Sequence, residues 1–134
     1  MPKIVFTQKD KDSIKKVDEG FWGVECMGCE EKPNSKKDGT NFIFEFKVVS
    51  DGSNKDRYIN HLVSSKGIAY GFGVLAAAIS GKSIDEVEVG EYDTDNFIGK
   101  KLIIEVEHEM YEGKPQSRIK NFFNAQNEGI ELSS

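Results

Sequence analysis

The chain has 134 residues, 37% of them hydrophobic and 31% charged, and a formal net charge of −5. One domain with a continuous core fits that length without metal or disulfide staples, and the composition excludes the disordered and membrane-embedded classes. No stretch approaches the roughly 20 apolar residues of a membrane span and the N-terminus carries no signal-peptide run, so a cytoplasmic protein with Cys26 and Cys29 reduced is expected.

Residues 1–19 alternate charges without strong periodicity and read as an N-terminal arm that ends in the turn Asp18-Glu19-Gly20. Phe21 to Glu30 then alternates as a half-buried strand, with Trp22, Val24 and Cys26 on one face. The turn formers and lysines of residues 32–39 make a hairpin loop into a second strand, Asn41 to Val49, whose Phe42, Phe44, Phe46 and Val48 belong inside. After the turn cluster at residues 50–54 comes a third strand, Asp56 to Val63, whose pattern leaves its inward face open. Ile68, Phe72, Leu75 and Ile79 are spaced as on a helix, with Ser64 or Ser65 to cap its start and Gly81 to end it. Gly71 and Gly73 inside that helix point to close packing on the sheet.

The loop from Asp85 to Asn96 carries six acids and no base, so everything outside it sums to +1. What governs binding is this local distribution rather than the total. The fourth strand, Lys101 to Tyr111, sets Leu102, Ile104, Val106 and His108 against Ile103, Glu105, Glu107 and Glu109. The turn Glu112-Gly113-Lys114-Pro115 returns the chain into a fifth strand, Ser117 to Phe123, and residues 125–134 form a C-terminal tail. Three strands, a helix and two strands make the order of a five-stranded oligonucleotide/oligosaccharide-binding (OB) fold barrel, here spanning residues 20–124.

Two motifs suggest other chemistry. Cys26-Met27-Gly28-Cys29 has the spacing of a zinc half-site or redox pair, yet the remaining strong candidates for metal ligation, His61 and His108, lie far along the chain in strands, and the pair sits at a strand end rather than a helix start. Gly71-Phe72-Gly73-Val74-Leu75-Ala76 matches a dinucleotide fingerprint but lies inside an apolar helical pattern with no parallel βαβ unit around it. The expectation is no metal, no cofactor and no catalysis, with both histidines as hydrogen-bonded residues of the fold. The row Glu105, Glu107 and Glu109 finds partners in Arg118 and Lys120 across the hairpin, which discounts those two cations as ligand contacts.

The stretches EGFWGVECMGCEEKPNSKKDGTNFIFEFKVV and FIGKKLIIEVEHEMYEGKPQSRIKNFF, about half of the chain together, resemble the small single-stranded-DNA-binding proteins encoded by bacteriophages. The first is similar to that family in its Gly-aromatic strand start, lysine-bearing loop and aromatic second strand; the second in its Gly-Lys opening and Tyr-x-Gly-Lys hairpin. The resemblance implies an OB barrel that serves replication or recombination of phage or plasmid DNA in a bacterial host.

An OB barrel presents its ligand face on strands 2 and 3, flanked by loops 1-2 and 4-5. The candidate contacts there are Lys32, Lys36 and Lys37 in loop 1-2, Lys47 on strand 2, Lys55 and Arg57 at the 2-3 turn, Tyr58 on strand 3, and Tyr111 and Lys114 at the 4-5 loop. Cations neutralise phosphates and flat rings stack bases, so the set points to single-stranded DNA bound with little sequence preference. The competing reading is an OB-type module that docks a protein, through the acidic 85–96 loop, and touches no nucleic acid. Self-association is left open by the sequence.

Overall fold

The computed structural model describes residues 2–13, 16–33, 39–65, 67–127 and 129–134. A short helix, α1 (Gln8–Ser13), precedes β1 (Gly20–Pro33), β2 (Thr40–Val48) and β3 (Tyr58–Ser64). A π-helical turn (Ala69–Gly73) runs directly into α2 (Val74–Ser80), and two 3-10 turns (Ile84–Glu86 and Thr94–Phe97) lead to β4 (Lys101–Tyr111) and β5 (Lys114–Asn124). The strands form one antiparallel sheet in the order β3-β2-β1-β4-β5. Its edge strands, β3 and β5, approach each other, and His61 of β3 meets the ring of Phe122 of β5 edge-on at 4.8 Å. No ladder joins those edges among the described residues, so the sheet curls without closing.

The curl encloses the core. Trp22, Val24, Cys26, Phe44, Phe46, Val48, Leu102, Ile104 and Val106 point inward and are buried, as period-two alternation requires. Phe42 is half-buried against the same cluster. In β3 the inward set is Ile59, His61 and Val63, because Phe44 pairs with His61 and Phe46 with Ile59. Ile103 is also buried although it has outward parity: its partner in β1, Gly23, lies under Leu132 of the tail, and its partner in β5 is Phe123. The tail is tied down by Ser133, whose N–H donates to the Phe21 carbonyl and whose hydroxyl accepts from the Phe21 N–H.

Three expectations are corrected. Neither Ser64 nor Ser65 caps the helix, which starts without a side-chain cap; the Ser65 hydroxyl instead accepts from the Thr40 N–H. The cysteine motif lies in the middle of β1 rather than at a strand end, and it straddles a β-bulge at Met27. A second bulge, at Lys120, breaks the expected pairing of the glutamate row: Arg118 binds Glu109 at 3.1 Å, but Glu105 takes its hydrogen bond from Asn121.

The expected close packing of the glycine-rich helix is present. A Cβ on Gly71 would lie 3.3 Å from both methyls of Val63, so the π-turn sits against β3 nearly backbone to strand. Gly81, at φ 71°, ends α2. The β4–β5 hairpin turns on Glu112 and Gly113, both at positive φ (51° and 78°), which is the two-residue geometry whose twist matches the strands.

Candidate nucleic-acid interface

The outward face of β1, β2 and β3 is organised by register into rows. Glu25, Lys47 and Tyr58 form one; Gly28, Glu45 and Asn60 the next; Glu30, Ile43 and Leu62 the third; Lys32, Asn41 and Ser64 the last. The Met27 bulge sets this pattern, because an extra residue in β1 moves Cys29 rather than Gly28 to the inward side.

Beside β3 the sheet opens. Asn60, His61 and Leu62 face Glu109 and Tyr111 of β4 and residues 116–119 of β5 across a cleft of about 400 Å³. A depression of about 220 Å³ lies over Gly28, Cys29, Glu30, Ile43 and Glu45 on the other side of Asn60. Asn60 lines both, so the cleft and the depression adjoin at β3, and the two together are the candidate groove. Its exposed apolar surface comes from Leu62 (56% exposed) and Tyr111 (60%).

The predicted contacts divide. Tyr111 lines the groove and Lys114, its cross-strand partner, sits exposed at the hairpin tip. Lys32 lies two residues beyond Glu30 at the opposite end, 3.6 Å from that carboxylate. Tyr58 is half-buried on the same face as Asn60, two residues away. Lys47, Lys55 and Arg57 gather instead around the β2–β3 turn, and each faces an acid: Lys47 with Asp56 at 3.5 Å, Lys55 with Asp51 at 3.6 Å, Arg57 with Asp18 at 3.8 Å. Arg57 also donates to the Lys16 carbonyl and to Asn54 Oδ1, so its guanidinium is built into the fold. Lys36 and Lys37 lie outside the described residues.

No protein-family model and no curated protein sequence matches the chain.

Acids outnumber cations in the lining of the groove: Glu30, Glu45 and Glu109 stand against Arg118, which binds Glu109, while Lys32 sits beside Glu30 from outside the lining. Sequence reasoning missed Asn60, Leu62 and Arg118 as lining residues. Leu62 had a signal, because an exposed leucine on a strand with a histidine on the opposite side is unexpected, but only the register identifies which side is outside. His61 closes the floor: burial pushes its imidazole below the ordinary 6.5, and its neutral ring donates through Nε2 to the Gly71 carbonyl at 2.8 Å. His108 likewise reaches the Val17 carbonyl at 3.0 Å. Burial raises both thiols, Cys26 and Cys29, away from the reactive thiolate form. No group of three metal-ligating side chains lies together among the described residues.

Proposed function

We propose that the chain is an OB-fold protein that holds single-stranded DNA in the groove through Asn60, with little sequence preference and without catalysis, in replication or recombination. The fold assignment is supported by the strand order, by the helix between β3 and β4, and by the approach of β3 to β5. The observation that carries the functional reading is the pair of hollows that adjoin at Asn60, with Tyr111 and Leu62 exposed in the larger one. Because acids outnumber cations in the lining, binding rests on stacking and on base-edge hydrogen bonds to Asn60, with Lys32 and Lys114 at its two ends touching phosphate.

The test is an anisotropy titration with a labelled oligothymidine and a duplex of equal length at two salt concentrations. Single strands bind in preference to duplex. Tyr111→Ala weakens binding by about 1–3 kcal/mol with the salt slope unchanged. Lys32→Ala and Lys114→Ala each lower the magnitude of the log-log slope by about 0.7, whereas Lys55→Ala leaves it alone. Absence of affinity at low salt overturns the reading. A protein-docking module then takes its place, a reading favoured by the ion pairs that occupy Lys47, Lys55 and Arg57.

A further inference from the structure

Two features of the molecule lie outside the groove. Ile4, Val5 and Phe6 are consecutive large apolar residues at 95, 81 and 65% exposure, in a segment without regular secondary structure. Three adjacent apolar side chains left in water are unfavourable unless a partner covers them. The segment is anchored where it meets α1, because the Thr7 N–H and hydroxyl both donate to Asp10 Oδ2 at 2.9 Å and the Asp10 N–H donates back to Thr7 Oγ1. It is thus an apolar arm on a defined root.

The second feature is an apolar cleft of about 170 Å³ at the other end of β3, lined by Phe42, Phe44, Val63, Ile68, Phe72 and Tyr92. Its floor is aromatic, with Phe72 edge-on to Tyr92 at 5.2 Å and to Phe97 at 5.5 Å, while Ile68 and Tyr92 remain 45% and 39% exposed. Gly90 and Thr94 complete its lining and, with Tyr92, belong to a stretch, residues 85–96, that carries six acids and no base. A ligand for this cleft is therefore an apolar segment with a positive flank. The arm, Lys3-Ile4-Val5-Phe6, has that chemistry.

We propose that the arm of one copy fills the aromatic cleft of a second copy, and that two copies do so reciprocally as a two-fold pair. The geometry favours reciprocity: α1, the root of the arm, lies against β3, and Val63 of β3 lines the cleft. One side of the molecule therefore carries both halves of the contact, as an isologous interface requires. Lys3 of each arm meets the acidic stretch of its partner.

Sedimentation of the full chain over a range of concentrations tests this. The unmodified protein shifts from monomer to twice the monomer mass as concentration rises. The double variant Ile4→Asp/Phe6→Asp stays monomeric, and so does Ile68→Asp/Tyr92→Ala, each with an unchanged circular dichroism spectrum. An equimolar mixture of the two variants recovers association, because one copy supplies an intact cleft and the other an intact arm. Lys3→Glu and Glu91→Lys weaken association singly, and together restore it. A monomer at every concentration, or an association indifferent to both double variants, overturns the proposal; a monomer whose own arm is protected from proteolysis also does so, since the arm then fills its own cleft.

Discussion

Asn54 is the one buried polar residue among the described side chains, and it joins the β2–β3 turn to the 16–19 segment. Its Oδ1 accepts from the Asp18 N–H at 2.8 Å and from Arg57, while its Nδ2 donates to Asp18 Oδ2 and Ser53 Oγ. The same stretch delivers the Asp18 carbonyl to the Trp22 indole at 2.7 Å and places Val17 in the core. Asn54→Ala strands the Asp18 N–H and is expected to cost about 1–3 kcal/mol in urea unfolding. Asn54→Asp is also expected to be destabilising, because it sets a second carboxylate against Asp18 and removes the donor between them. A near-neutral result for both would mean that the 16–19 segment contributes little to stability.

His61 makes stability depend on pH. Its folded pKa is held below 6.5, mainly by burial and despite the Gly71 carbonyl, so the unfolded chain takes up the proton first. The contribution is complete above about pH 6.5 and is lost as pH falls from there through the folded pKa. Urea midpoints measured between pH 8 and pH 5 should therefore fall more steeply for the unmodified protein than for His61→Gln. Equal slopes would remove His61 as the cause.

At the level of elements, the strands that bury one face were legible because their apolar residues keep a period of two. Trp22-Val24-Cys26, Phe44-Phe46 and Leu102-Ile104-Val106 all point as that alternation demands. β3 was not legible in this way. Tyr58, Asn60 and Leu62 compete with Ile59, His61 and Val63, and only pairing with β2 decides between them. Bulges at Met27 and Lys120 leave no periodic trace, and they are what set the outward rows of β1 and the partners of the β4 glutamates. Within the acidic stretch, Glu86 and Asp93 are explained locally, since each accepts a backbone N–H at the start of a 3-10 turn. The glycine-rich π-turn yields an element-level prediction. Gly71→Val drives methyls into Val63 and is expected to cost about 1–3 kcal/mol of overpacking in the same urea assay. An unchanged midpoint would show that β3 and the turn are more loosely joined than the backbone implies.

Across the whole molecule, the groove is a product of curvature. The β4–β5 hairpin and β3 are some 50 residues apart in sequence, and no local pattern announces that Tyr111 will stand opposite Leu62. The basic constellation read from sequence assumed that all its members would converge, whereas Lys47, Lys55 and Arg57 stand by position at the β2–β3 turn, each beside an acid. One of those pairs was visible beforehand, since Asp51 stands four residues before Lys55. The proposed function therefore places recognition at Asn60, Leu62, Tyr111 and the ends of the groove, and leaves the turn cluster to the fold. Amide chemical-shift mapping with a short oligothymidine tests that assignment most directly. It predicts saturable shifts along residues 60–62, 109–111, 116–119, 28–30 and 43–45; an unperturbed spectrum, or shifts confined to the 49–57 turn or the acidic stretch, would contradict it.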